Sequence, residues 1–183
     1  MPTINPVNAS AGSPAAEILG AIKSKIGMVP NIYATMAHSP ALLHAYLGYG
    51  EGLGQGVLGA ALAEQIALTV AGENGCDYCA SAHSALARGA GVASDEATRN
   101  LRGEASDPRT AVILDFVRKV VKNRGHVEAA DLQALRNREV SDAELVEIIA
   151  HVGMNLFTNY FNHIVDTDID FPVVRTDPQS RAA

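Results

Sequence analysis

Residues 58–89 read LGAALAEQIALTVAGENGCDYCASAHSALARG, and two helices joined by a tight turn are the reading that decides the fold. Leu58 to Ala71 predicts the first helix, stopped by Gly72-Glu73-Asn74-Gly75, where glycine and asparagine supply the left-handed positions that end a helix. The second helix begins around Cys76 and runs to Arg88, with Gly89 ending it. About a turn centred between Glu73 and Asn74, Glu64 lies nine residues before Glu73 and His83 lies nine after Asn74. Equal rise along two antiparallel helices sets them level. Cys76, Cys79 and His83 are three and four residues apart and share one face, which Glu64 can join from across the hairpin.

Helix punctuation continues in both directions. Ser13-Pro14, Ser39-Pro40 and Asp107-Pro108 each pair an N-cap residue with proline at the first helical position. The helices they predict reach Gly27, Gly50 and Gly125, the last carrying Ile113, Phe116, Val117, Val120 and Val121 at helical spacing. Val29-Pro30-Asn31 marks a short connection with one helical turn after it. Short helices fit Ser94 to Leu101 and Glu128 to Arg138. Ser141 and Glu144 form a capping box ahead of a long final helix through Leu145, Ile148, Ile149, Val152 and Leu156. No stretch alternates apolar and polar residues as a half-buried strand requires, so the class is all-α. The expected organisation is one helical domain over 13–171 between tails at 1–12 and 172–183 that drape or fray.

The chain has 183 residues, room for one domain with a substantial core. Its net charge of −6, with no basic run, excludes nucleic acid as an expected partner. Ala41 to Gly72 is the least charged region, yet Glu51, Glu64 and repeated glycines interrupt it, so no membrane span is expected. Met1 to Gly12 lacks the cationic start and apolar stretch of a secretory signal, which points to the cytoplasm. Two cysteines cannot form a disulfide framework, and their spacing carries more information than their number.

That spacing suits thiol chemistry. A thiol attacks as the thiolate, which a helix N-terminus favours and a nearby imidazole can generate by accepting the proton. Cys76 gains most from the helix end, Cys79 from His83. Glu64 sits where other charge is scarce; a desolvated carboxylate is costly, which makes a histidine partner useful. Asp77 works against a neighbouring thiolate unless it points to solvent. Blander readings stand beside this one: a zinc site of Cys76, Cys79, His83 and Glu64, two merely packed cysteines, or Glu64 in a salt bridge between subunits. His38, His44, His126 and His151 read as structural. His163 belongs to a polar stripe with Asn155, Asn159, Asn162 and Asp166 on the last helix, an interhelical seam that could line the mouth of a site. Asp166, Asp168 and Asp170 resemble the start of a calcium loop, but Phe171 stands where that loop needs glycine. No phosphate-binding glycine loop or serine nucleophile elbow is present, so neither a cofactor nor a metal residue is assigned.

Glu64, Cys76-x-x-Cys79 and His83 at these separations resemble the signature of the alkylhydroperoxidase D and carboxymuconolactone decarboxylase-like superfamily. Lys25 to Asn31, the Ser39-Pro40 start, and Asn159 to His163 leading to Asp170-Phe171-Pro172 are similar to its peroxidase-related branch. The resemblance implies an AhpD-like helical bundle and a thiol-dependent hydroperoxide reductase, with a hydroperoxide as substrate and an external dithiol or lipoyl-type compound as reductant. It implies Cys79 as the attacking sulfur, Cys76 as the resolving one and Glu64 with His83 as the proton relay. It also implies homotrimers or hexamers, with the uncharged hairpin buried or between subunits. The best-known members place a histidine directly before the second cysteine; here that residue is Tyr78, whose phenol cannot act as a base at neutral pH. Lactone decarboxylation, the other activity of the superfamily, does not depend on a cysteine pair.

Overall fold

A computed structural model describes residues 1–8 and 12–177; residues 9–11 and 178–183, within the two expected tails, lie outside the described residues. The described residues form helices α1 (Pro14–Ile26), α2 (Asn31–Met36), α3 (Pro40–Leu53), α4 (Gly59–Asn74), α5 (Asp77–Gly89), α6 (Ser94–Asn100), α7 (Pro108–Lys122), α8 (Ala129–Arg136) and α9 (Asp142–Val165), and no strand. The all-α class is as expected. The caps explain where the helices start: Ser13, Ser39, Asp107 and Ser141 each accept a backbone N–H from the first turn, at 3.2, 3.3, 2.7 and 3.2 Å. Glu144 completes the capping box on Ser141, and Glu128 with Asp131 forms a second box at α8.

α4 is the helix around which the others assemble, packed against α5, α6, α7 and α9. Six consecutive residues, Ile66 to Ala71, are buried, which requires apolar or internally bonded side chains around most of its circumference. Leu68 and Ala71 face one core with Leu43, Cys79 and Ala80. Ile66 and Val70 face a second core with Ile113, Leu114, Val117 and Ile148. The scarcity of charge along this part of the chain follows from burial within the subunit. Thr69, fully buried between the cores, donates to the carbonyl of Asn100 at 2.8 Å. One turn on, α4 approaches α6 so closely that a Cβ at Gly72 would lie 1.8 Å from the carbonyl oxygen of Leu101.

The α4–α5 turn falls later than the sequence pattern suggests. α4 continues through Gly72, Glu73 and Asn74 and closes on Gly75, whose φ of 69° is left-handed. The Cys76 N–H then returns to the Ala71 carbonyl at 2.9 Å, and Asn74 Nδ2 donates to the Val70 carbonyl at 3.0 Å, satisfying acceptors that an earlier stop would have left open. No helix of the described residues is long and apolar enough to cross a membrane.

Both terminal segments are pinned where described. Thr3 N–H donates to the Val165 carbonyl at 2.7 Å and Val7 N–H to the Ala34 carbonyl at 3.0 Å. At the other end, residues 174–176 lie along α5: Val174 N–H donates to Ser81 Oγ at 2.9 Å, and Arg175 and Thr176 reach Asp77 at 2.8 Å each. The Asp77 carboxylate, a quarter exposed, is therefore held by the C-terminal segment instead of pointing freely into solvent. Burial pushes this carboxyl up, but the Thr176 backbone N–H, the Arg175 guanidinium and the Thr176 hydroxyl outweigh it and hold the group below its usual range.

Two outcomes check this packing. Gly72→Ala forces α4 away from α6 and should cost about 1–3 kcal/mol, whereas Gly48→Ala on α3, where a Cβ meets nothing within 4 Å, should be neutral or gain about 0.5–1 kcal/mol; urea unfolding of both reads the difference, and equal midpoints would contradict the close approach. Because Asp77 is depressed in the folded chain, the clasp is complete above the ordinary aspartate range and is lost as pH falls through the lower folded value. Hydrogen exchange at 174–176 should accelerate on that descent, and in Asp77→Asn the pH step should disappear; an unchanged step would assign it to other carboxylates.

Candidate active site

Cys76 is the N-cap of α5, and its Sγ accepts the Cys79 N–H at 3.3 Å. This places it at the positive end of the helix, as its position in the sequence suggests. Cys79 follows in the first turn, and the two sulfurs are joined as a disulfide. Both cysteines are almost fully buried, at 1% and 2% exposure, and Cys79, but not Cys76, lines the cavity described below. A zinc ion held by Cys76, Cys79, His83 and Glu64 would require this disulfide to be open. Among the described residues, no group of three His, Cys, Asp or Glu side chains is placed to hold a metal ion.

Glu64 on α4 and His83 on α5 meet across the hairpin: Nδ1 of His83 lies 2.7 Å from Oε2 of Glu64. The late turn does not separate them, because the reach of the two side chains absorbs the offset. Both are about a fifth exposed, so the contact is screened yet open to proton exchange. A carboxylate beside Nδ1 fixes the proton on that nitrogen and leaves the Nε2 lone pair free as an acceptor. All four residues singled out from the sequence are thus gathered at one hairpin.

A cavity of about 350 Å³ opens beside Cys79 and His83, walled by Ile22, Met28, Ile32, Leu47, Leu86 and Phe171. Beside Cys79 and His83 its residues with polar groups are few: Lys25, Tyr33, Tyr46, Tyr78, Thr158 and Asn162. Apolar walls with a few convergent polar groups are the usual form of a small-molecule site. On the other side of His83 a second cavity, about 320 Å³, is lined by Glu64, His151, Asn155, Met154 and the same Tyr33 and Tyr46. His83 therefore stands in a wall between two cavities, with its carboxylate partner on the second.

The tyrosines stay protonated. Burial first, then the charge of Glu64, raises the Tyr33 phenol; burial, Tyr33 and Glu64 raise that of Tyr46. For Tyr78, burial and the Asp170 carboxylate outweigh the opposing Ile32 N–H. Tyr78 accepts that N–H at 3.3 Å and stands edge-on to Phe171, a role that ties α2 and the C-terminal segment to α5. Asp170 accepts the Asn31 N–H at 2.7 Å, so this carboxylate serves the start of α2, with no part in a calcium loop.

The polar stripe on α9 is a seam, with two corrections. Asn155, Asn159 and Asn162 are buried, but His163 is exposed: it sits one residue beyond Asn162 and so points well off the stripe. Asp166 is also exposed, as the left-handed C-cap of the helix. Asn159 Oδ1 accepts from Asn74 Nδ2 at 3.0 Å and Asn162 Nδ2 donates to Cys79 Sγ at 3.3 Å. His151 extends the stripe one turn towards the N-terminus of α9, its carbonyl accepting from Asn155 at 2.9 Å. Read as structural from its sequence, it is buried and also lines the second cavity. Burial holds its imidazole below the ordinary histidine range, against the charges of Glu147 and Glu64. The register with Asn155 was the signal for this placement; Tyr33 and Tyr46 had none. His38, His44 and His126 are exposed.

No curated protein matches the sequence. The carboxymuconolactone decarboxylase family matches residues 40–122, which span α3 to α7. A peroxidase-related protein from Silicibacter sp. TM1040 shares the fold with a TM-score of 0.79 at 24% identity, over 91% of this chain and 92% of that one. An alkylhydroperoxidase AhpD-core, peroxidase-related protein from Ralstonia eutropha JMP134 matches with a TM-score of 0.78 at 27% identity, over 88% and 91%. The debrominase Bmp8, whose structure contains 2,3,4-tribromopyrrole, has the same fold at 20% identity and a TM-score of 0.77, over 92% and 91%. The family match across the hairpin and the fold held in common along almost the whole chain make this protein similar to the carboxymuconolactone decarboxylase family and to AhpD-core, peroxidase-related proteins.

Proposed function

We propose that the protein is a thiol-dependent hydroperoxide reductase in which Cys79 attacks, Cys76 resolves, and His83 with Glu64 manages the protons. The observation that carries this reading is that Cys79 and His83, one turn apart on α5, line the same cavity while Cys76 does not. With Nδ1 of His83 committed to Glu64, Nε2 takes the Cys79 proton. The thiolate attacks the terminal oxygen of ROOH; the O–O bond breaks, sulfur becomes the sulfenic acid, and the leaving alkoxide takes the proton back from His83 as ROH. The Cys76 thiol then displaces water from the sulfenic acid to form the disulfide. An external dithiol reopens it by exchange and is itself oxidised. The buried, protonated Tyr78 leaves a relay of Glu64 and His83 alone.

The apolar lining supports an organic hydroperoxide over hydrogen peroxide as substrate. Reduction of a halogenated ring, suggested by the tribromopyrrole complex of Bmp8, is favoured by nothing particular to this chain beyond the same apolar walls. Lactone decarboxylation, the remaining alternative, leaves the cysteine pair without a task. A homo-oligomer is part of the proposal: Val146, Ile149, Phe157, Tyr160 and Ile164 are 65, 52, 38, 53 and 73% exposed along α9, and a run of exposed apolar side chains on one helix suits an interface between copies. Sedimentation at the monomer mass would remove that part.

The variants give a definite pattern. Cys79→Ser should abolish consumption of cumene hydroperoxide, and Cys76→Ser should leave a sulfenic acid on Cys79 that dimedone traps; the reverse labelling would exchange the two roles. His83→Ala and Glu64→Gln should each slow cysteine alkylation at neutral pH by about 10²–10⁴-fold, the usual worth of a positioned base, with thermal stability little changed. Alkylation profiles that overlay the parent at every pH would remove both from the mechanism.

A further inference from the structure

Asn162 is the one member of the α9 stripe whose amide is turned on a reacting atom. Its side chain is 4% exposed and its Nδ2 donates to Cys79 Sγ at 3.3 Å. Its Oδ1 is buried without a hydrogen-bond partner among the described residues. An amide left with an empty buried acceptor costs roughly 1–3 kcal/mol, and leucine has nearly the same size and shape without that cost. Something must offset the difference at this position. Asn159, whose Nδ2 is likewise buried without a partner among the described residues, has a structural partner for its other end in Asn74, and Asn155 has one in the His151 carbonyl. Among the described residues, the Asn162 side chain has only the sulfur as partner, and its donor end is the end in use.

A disulfide sulfur accepts an N–H weakly. A thiolate accepts it as a charge-assisted bond, roughly twice as strong as a neutral one. The same amide therefore gains most when the disulfide is open and Cys79 is ionised, and a donor that favours the charged form lowers the pKa of the thiol it faces. Two helices aim at this sulfur from different sides: α5 supplies its own N-terminal turn and His83, and α9 supplies the amide. We propose that Asn162 is a further catalytic residue, a fixed hydrogen-bond donor that holds Cys79 as the thiolate and later as the sulfenate. The assignment rests on Cys79 being the attacking sulfur. The other charged or titratable groups around Cys79 are His83, Tyr78 and Asp77 on its own helix, Lys25 on α1, Tyr33 on α2, Tyr46 on α3 and Glu64 behind His83 on α4, and the substitutions below alter none of them.

The test is the thiolate absorbance of Cys79 at 240 nm against pH, in the reduced full-length Cys76→Ser protein with and without substitution of Asn162. Asn162→Leu removes the donor at similar volume and should raise the Cys79 pKa by about one unit, equivalent to a tenfold loss of thiolate below both values. Asn162→Asp, which keeps the shape and faces the sulfur with a carboxylate, should raise it further and decides the matter if the leucine variant does not fold. Asn162→Gln, which retains an amide, should recover part of the shift. A Cys79 pKa unchanged in a folded Leu or Asp variant overturns the assignment, even if peroxide is still consumed. A shifted pKa upholds it, even if the thiolate proves inert to hydroperoxide and the proposed reaction fails.

Discussion

The hydrogen bond between Glu64 and His83 is the constraint on which the site depends, because it can form only if α4 and α5 run antiparallel in one register. A slide of one residue along either helix turns a side chain through about 100° and carries it out of reach. Register is held from outside the pair. The left-handed Gly75 closes α4, Gly72 lets α4 lie against α6, and burial in two cores leaves α4 no freedom to rotate. Through that bond the imidazole is oriented with one nitrogen bound and the other free, beside a sulfur at the start of a helix. Much of the packing in the molecule thus serves to fix one imidazole on the helix that carries Cys79.

Around this pair, elements distant in sequence supply what a hairpin alone cannot. α9 brings Asn162 to the sulfur. α2 and α3 bring Tyr33 and Tyr46 to the wall between the two cavities, and the C-terminal segment neutralises Asp77 through Arg175 and Thr176. An uncompensated carboxylate at the second residue of the Cys-x-x-Cys motif would oppose ionisation of both thiols. Its clasp by the terminal segment removes that opposition and pins the segment over α5. Tyr78 is given over to joining α2 and Asp170 to the same helix.

How much of this was legible in the sequence follows the range of the interactions. Caps are local, so Ser13, Ser39, Asp107 and Ser141 announced their helices, and the all-α class followed. The hairpin was legible because periodicity within each arm and arm length together place Glu64 opposite His83. The turn itself was misplaced, since Gly72 reads as a breaker whereas its lack of a Cβ is needed for contact with Leu101, 29 residues away in sequence. The α9 stripe could be recognised as a seam, but which amide meets sulfur is decided by how α9 crosses α5. His163 was wrongly included because one residue beyond a stripe member lies on a different face, and His151 was set apart although its four-residue spacing to Asn155 extends the stripe. The clasp on Asp77 joins residues 98 and 99 apart, and no local pattern announces it.

The account stands on the two sulfurs forming one redox couple served by a single cavity, and the direct measurement is the number of thiols lost per molecule of hydroperoxide. Fully reduced protein titrated anaerobically with substoichiometric cumene hydroperoxide should lose two thiols for each equivalent reduced to the alcohol, with mass spectrometry locating the new bond between Cys76 and Cys79 within one chain. Thiols that persist beside unreacted peroxide, or a loss confined to bonds between chains, would contradict it.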